Sequence, residues 1–249
     1  MTGMQPELPL VGMAKERQRV DAALDSREPL LILGQRGCGK TRLIMEMLRG
    51  REELLYLAWE PTLHGLLISI ARALIGAGHA DFLARAMPGA EQDAWLAEQT
   101  SVHLKGLLWN SLTSAPASLI LDGISGAGFP AYRFLQRVYH TPGMMVLAVA
   151  RDMDSMGPLN RLFWDRRRIL HVDPLSARDA AQLFNSAADY FKLRNPGLNE
   201  FRDKVLECAN GNPGQIIEMC RLATQPQYLA GRRVKFAPLR IDAFIKLTG

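Results

Sequence analysis

What the sequence lacks narrows its reading before any motif is considered. No apolar run in its 249 residues approaches the roughly 20 residues of a membrane-spanning helix. The opening MTGMQPELPL has no basic segment followed by a hydrophobic stretch, so no secretory leader is expected. Cysteine is scarce. Cys38, Cys208 and Cys220 stand in no metal-like spacing, which argues against a zinc site and for a reducing, cytoplasmic setting. Internal repeats and low-complexity segments are missing as well.

What is present is ordinary for a globular chain: 48% hydrophobic and 22% charged residues, enough for one large α/β core and a smaller attached domain. The formal charge of +5 permits a polyanionic partner without requiring one. Basic residues cluster in RLFWDRRR at 161–168 and GRRVK at 231–235. Each cluster has two readings, a solvated or subunit-contacting face and a surface for duplex DNA.

Read in order, a helical stripe through Val20, Ala23 and Leu24 precedes an apolar strand at 30–33. A glycine-rich turn and a helix over 42–49 follow, then a strand at 53–59 ended by Glu60-Pro61. The next helix runs from Thr62 to Leu74 and closes on Gly76 and Gly78. Helical patterns over 79–87 and 91–113 are separated by Pro88-Gly89 and carry Trp95 and Trp109, read as core residues. Strands are expected at 117–122, 144–150 and 168–172, with a short helix at 158–164 before the last. Strands alternating with helices predict βαβ crossovers and a parallel sheet, and continuous apolar strands suit one buried on both faces.

After Pro174 the character changes. Ser176 with Asp179 three residues on reads as a helix cap, opening a helix to about Phe191. Asn195-Pro196-Gly197 breaks it, a second helix covers 198–209, and GNPG at 211–214 opens a third. The expected fold is α/β: a parallel five-stranded sheet with flanking helices over 1–173, followed by a small all-helical domain over 174–249 with a basic C-terminal tail.

The glycine-rich turn carries the chemistry. Gly34-Gln35-Arg36-Gly37-Cys38-Gly39-Lys40-Thr41 matches G-x-x-x-x-G-K-[ST] in full. Its glycines let the backbone aim several N–H groups at one anion, and the following helix adds its positive N-terminus. Lys40 suits the β- and γ-phosphates, and the Thr41 hydroxyl suits Mg²⁺. Residues 34–41 together with Arg42 are therefore the expected contacts of ATP or ADP. Cys38 supplies a small side chain inside the loop.

Asp122 closes an apolar run, where a carboxylate can hold the Mg²⁺ water shell or open the turn DGISGAG. Many ATPases of this kind place a glutamate next, to polarise the attacking water; here Gly123, Ile124 and Ser125 follow. Glu60, at the end of the preceding strand, is the substitute base, or else a surface residue before Pro61. With no base, hydrolysis is expected to be slow and the nucleotide to act as a switch.

With these residues in hand, the chain resembles an AAA+ module, particularly the STAND branch of signal-transducing NTPases, over residues 9–225. PLVGMAKERQRV is similar to the family's N-terminal motif, which implies that Val11 and Gly12 line the adenine pocket. VLAVAR resembles the strand ending in a γ-phosphate-sensing arginine, here Arg151, and HVDPLSARDAAQLF resembles the start of the lid. GNPGQIIEM resembles the Gly-x-Pro motif, with Pro213 against the base, although Pro213 also suits a helix start on its own. Where typical AAA+ lids carry a sensing arginine, this chain has Gly214 and Gln215.

The resemblance further implies an arginine acting on a neighbour's nucleotide from among Arg161, Arg166, Arg167 and Arg168. The expected function is an ATP-dependent switch that oligomerises or engages a separate partner; one form is a regulator on duplex DNA, similar to compact AAA+ transposition regulators, which the basic clusters motivate. The competing readings are a turnover motor using Glu60, and an assembly subunit that holds nucleotide with little hydrolysis.

Overall fold

A computed structural model of the chain describes residues 8–51, 53–86, 92–194, 197–231 and 233–248. The expected breaks at Pro88-Gly89 and Asn195-Pro196, and Arg232 of the second basic cluster, lie outside these. By their contacts the described residues fall into two compact units. One lies within Glu16–Gly34 and Ile44–His171; the other lies within residues 8–15, Gln35–Leu43 and residues 172–248.

The first unit is built on a parallel sheet that has five strands among the described residues, in the order β2-β3-β4-β1-β5. These are β1 (Leu30–Leu33), β2 (Leu54–Ala58), β3 (Ser118–Ile124), β4 (Met145–Ala150) and β5 (Ile169–His171). All of β1 and β4 is buried, as continuous apolar runs in a doubly covered sheet should be. Helix α1 (Ala14–Ser26) precedes β1, and α2 (Lys40–Leu48) leaves the glycine-rich turn. Between β2 and β3 come α3 (Leu63–Gly76), α4 (Ala80–Arg85), α5 (Gln92–Glu98) and α6 (Ser101–Ser114). Helix α7 (Phe129–Tyr139) joins β3 to β4, and 3₁₀ stretches at Asp154–Phe163 and Arg166–Arg168 lead into β5. Phe82, Phe134, Phe163 and Leu31 lie in one continuous core with the sheet and helices. Each such fully buried side chain contributes about 1.5–3 kcal/mol.

Three expectations are corrected here. The helical pattern over 91–113 is two helices, because Thr100 takes an extended conformation and its Oγ1 accepts from His103 N–H at 3.2 Å, starting α6 afresh. Helix α7 is an addition to the expected elements, although Ala131, Phe134, Leu135 and Val138 give it a clear buried stripe; the glycines of the preceding turn obscure it. Asp122 does not end its strand, because β3 continues to Ile124 through a register shift between Asp122 and Ile124. Of the tryptophans, Trp95 packs against the core and Trp109 carries the Arg137 guanidinium 3.8 Å above its ring.

The second unit holds α8 (Ala177–Tyr190), α9 (Leu198–Ala209), α10 (Pro213–Leu222) and α11 (Phe236–Thr248), with a 3₁₀ turn at Pro226–Tyr228. Its core gathers Phe184, Val205, Ile216, Cys220 and Leu239. Burial pushes the Cys220 thiol up to about 12. To these helices the structure adds an antiparallel ribbon, β6 (Leu229–Ala230) with β7 (Arg233–Val234). The expected basic tail thus becomes the ribbon and α11. Among the described residues no helix is long and apolar enough to cross a membrane.

The cap that divides α5 from α6 has a measurable weight. Thr100→Ala is expected to lower stability by about 1 kcal/mol in urea denaturation; an unchanged midpoint would mean that the hydroxyl does not hold the α6 N-terminus.

Candidate nucleotide-binding site

The glycine-rich turn begins at Gly34, the residue after β1, and ends where α2 starts at Lys40, the strand–loop–helix context that its motif requires. Gly37 and Gly39 have φ of +81° and +100°, in the region where a side chain is strained. A Cβ at Gly37 would lie 2.7 Å from Asn212 Oδ1, and one at Gly39 would lie 2.6 Å from Met13 Cε. Only glycine keeps this backbone. Cys38 N–H donates to Gln35 O at 3.2 Å, and Leu43 N–H to Gly39 O at 2.8 Å as the helix begins.

Lys40 Nζ donates to Gln35 O at 2.9 Å and lies 3.6 Å from the buried Cys38 Sγ. Its ammonium is therefore curled back over the loop. Thr41 stands in the first turn of α2. Arg42 turns elsewhere, with Nη2 donating to Leu8 O at 2.6 Å. The residues present fit a nucleotide phosphate. The donor set is backbone N–H, one ammonium and one hydroxyl at a helix N-terminus, around a turn with no room for side chains.

Within the same unit the turn is bonded to the start of α10. Gly214 N–H donates to Gly37 O at 2.9 Å, and Asn212 Nδ2 donates to Arg36 O at 2.9 Å. Asn212 also caps α10, its Oδ1 accepting from Gln215 N–H at 3.2 Å. Pro213 is buried in the first turn of that helix, so the helix-start reading describes its place. Val11 is buried with the α8–α11 core, and a Cβ at Gly12 would lie 2.9 Å from Leu175 Cδ2 and 3.1 Å from Asp179 Cβ. Ser176 Oγ accepts from Asp179 N–H at 3.1 Å, which caps α8 as its sequence suggests.

In the sheet unit, register brings the remaining candidates to one edge. Leu33 pairs with Ala150, Asp122 with Val149, and Ala58 with Asp122. Gly34 and Arg151 are therefore the residues after paired strand ends, and Asp122 lies on the strand next to Arg151's. This is the carboxyl edge, where open α/β sheets bind ligands. Arg151 is 69% exposed and pairs with Asp152 at 2.7 Å. That bond, with a second from Ser155 N–H, holds the Asp152 carboxyl below the usual range.

Asp122 is half-buried and accepts from the Tyr56 hydroxyl at Oδ2, 2.8 Å away. Burial first, and this bond second, push the Tyr56 phenol up to about 12. Gly123 fills the position where a glutamate was sought, at φ +82°. A glutamate there would be strained, which gives the missing base a backbone reason. Glu60 leaves β2 just past the ladder, where Trp59 N–H donates to Asp122 O at 2.9 Å. Its side chain folds over the α3 N-terminus: Glu60 Oε2 would lie 3.1 Å from a Cβ on Gly65. A carboxylate is favoured at such a helix start.

The basic cluster divides. Arg167 pairs with Asp165 at 2.9 Å, and Arg168 Nη1 donates to the Tyr139 hydroxyl at 2.9 Å. Arg166 is exposed. Arg161 stacks 5.6 Å from the ring centroid of Phe129, itself 54% exposed. Trp164, 82% exposed, stands just past the end of that 3₁₀ stretch. Sequence reasoning missed Tyr56 and Asn212. The first had a signal, a polar group inside an apolar strand; the second sat in a motif read only as a helix start.

Comparison with known proteins follows this geometry. No protein-family profile and no curated protein sequence matches the chain. Solved structures do. The Walker-type ATPase of Pyrococcus abyssi is 12% identical with a TM-score of 0.59, over 87% of this chain and 69% of that one. A Signal Transduction ATPase with Numerous Domains from Pyrococcus horikoshii, with a tetratricopeptide repeat sensor, is 14% identical with a TM-score of 0.50 over 98% of this chain. This chain spans 34% of that protein. A single-residue mutant of Thermotoga maritima RuvB is 11% identical with a TM-score of 0.56, over 98% of this chain and 74% of that one.

The strain argument has a direct test. Gly37→Ala should lose about 1–3 kcal/mol of stability in chemical denaturation; a loss under about 0.5 kcal/mol would mean that the loop does not need its left-handed turn. The five parallel strands, the phosphate-type loop after β1 and the similar solved structures give this chain the fold of a P-loop NTPase.

Proposed function

We propose that the protein is an ATP-binding switch with slow hydrolysis, in which residues 1–173 bind the nucleotide and residues 174–249 respond to it. One observation carries the switch reading: Asn212 and Gly214, at the start of α10, bond directly to the carbonyls of Arg36 and Gly37 in the phosphate loop. Any adjustment of the loop around a phosphate is thereby felt by that helix. A coupling of this kind needs only a difference in affinity between two conformations.

In this reading the N–H groups of residues 35–41 and the Lys40 ammonium hold the phosphates, with Gly34 and Arg42 at the ends of the loop. Thr41 and Asp122 are each proposed to supply an oxygen for Mg²⁺, whose charge offsets that of the phosphates. Arg151, the residue after β4, is proposed to respond to the γ-phosphate. Val11, Gly12 and Pro213 are proposed for the base.

Slow hydrolysis follows from Gly123 in place of a carboxylate and from Glu60 folded over α3. Turnover should fall well below the typical enzyme value of about 10 s⁻¹, and Glu60→Gln should change it less than about threefold. A loss of two orders of magnitude in that variant would make Glu60 the base and the protein a motor. The switch itself is read by amide hydrogen exchange. ATP with Mg²⁺ should slow exchange in residues 211–222, and Asn212→Ser, which can keep the cap but is too short to reach Arg36, should reduce that response. Equal exchange with and without nucleotide would contradict the switch and favour an assembly subunit.

A DNA-engaging form of this switch is supported by Arg161, which lies over the exposed Phe129 ring, and by exposed Trp164 and Arg166 a few residues on in the chain. Duplex DNA should then bind in the presence of ATP, weakening at least tenfold between about 50 and 200 mM salt. Absent or salt-independent binding would leave a protein partner or a second copy of the chain as what the switch engages.

A further inference from the structure

The side of β2 that carries Tyr56 alternates with the buried face of Leu55 and Leu57. Tyr56 is half-buried there and donates its hydroxyl to Asp122 Oδ2 at 2.8 Å. Register explains the reach. Tyr56 pairs with Ile120, and Asp122 lies two residues further along β3, beside Ala58. Two residues of strand span about 6.6 Å, close to the length of a tyrosine side chain, so the phenol runs diagonally to the carboxylate.

The register shift just beyond Asp122, with Gly123 at φ +82°, interrupts the ladder at this point in the manner of a bulge. Bulges re-aim the side chains beside them. Asp122 is thus oriented twice, by the backbone that follows it and by the hydroxyl that grips Oδ2. Partners of this kind, which hold a ligand without touching the metal, are worth about 10–100-fold in metal affinity where measured.

We infer that Tyr56 is a positioning residue: its hydroxyl holds the Asp122 carboxylate in the orientation that receives the magnesium of a bound nucleotide. This rests on the metal role proposed above for Asp122. The role differs from simple packing, because a phenylalanine would fill the same space and lose only the grip.

The test is a titration of Mg²⁺ into the full chain with a fluorescent ADP analogue, comparing wild type, Tyr56→Phe, Asp122→Asn and the double variant, with thermal melts to confirm that each is folded. Without Mg²⁺, Tyr56→Phe should bind the analogue within about twofold of wild type. Its midpoint for the Mg²⁺-dependent tightening should rise about tenfold. Asp122→Asn should raise that midpoint at least as far, and the double variant no further, because the hydroxyl acts through the carboxylate. An unchanged midpoint in Tyr56→Phe beside a raised one in Asp122→Asn would overturn the inference and leave the metal role of Asp122 standing. Unchanged midpoints in both would overturn the two together. Weaker binding in Tyr56→Phe at every Mg²⁺ concentration, with the midpoint fixed, would make the hydroxyl merely structural.

Discussion

Everything else in this molecule depends on a backbone that approaches its neighbours too closely to carry side chains. At Gly37 and Gly39 the chain turns through positive φ, and at both a Cβ would collide, with Asn212 at one and Met13 at the other. This closeness has two consequences. It leaves the loop's N–H groups and the α2 N-terminus open to an anion instead of covered by a side chain. It also brings the loop carbonyls within hydrogen-bond reach of α10. The proposed binding and the proposed switch would therefore share one structural cause, and a substitution at Gly37 should disturb both.

The sheet edge supplies the second half of the account. Asp122 is anchored by Tyr56 and followed by a bulge, which suits a carboxylate that must point one way. The same bulge puts glycine where a catalytic glutamate would otherwise stand. Orientation of Asp122 and absence of a neighbouring base are thus two results of one backbone irregularity. Glu60, lying over the first turn of α3, has a structural occupation of its own. A nucleotide held firmly and cleaved slowly is what such an edge would produce, and a slow timer is what a switch needs.

Much of this was legible in the sequence. Buried parallel strands have to be apolar on both faces, so LLIL, LLYLA and MVLAVA announce β1, β2 and β4 within a residue or two. The phosphate loop is legible because its geometry tolerates glycine and little else. The cap at Ser176 is legible because one side chain meets a local need. What escaped depends on pairs of residues distant in the chain. The order β2-β3-β4-β1-β5 leaves no local trace. The Tyr56–Asp122 bond crosses 66 positions and the Asn212–Arg36 bond crosses 176. Helix α7 and the break at Thr100 escaped for a different reason. Glycines hid one apolar stripe, and a continuous helical pattern ran across a single capping residue.

The central claim is that the loop at residues 34–41 holds a nucleotide phosphate. Calorimetric titration of ATP with Mg²⁺ into the wild-type protein and Lys40→Ala tests it most directly. Removing one partner of a buried, charge-assisted contact costs about 2–5 kcal/mol, so binding in wild type should weaken by about 30-fold or more in the variant. Equal affinity in both proteins, or no heat of binding in wild type, would contradict the account.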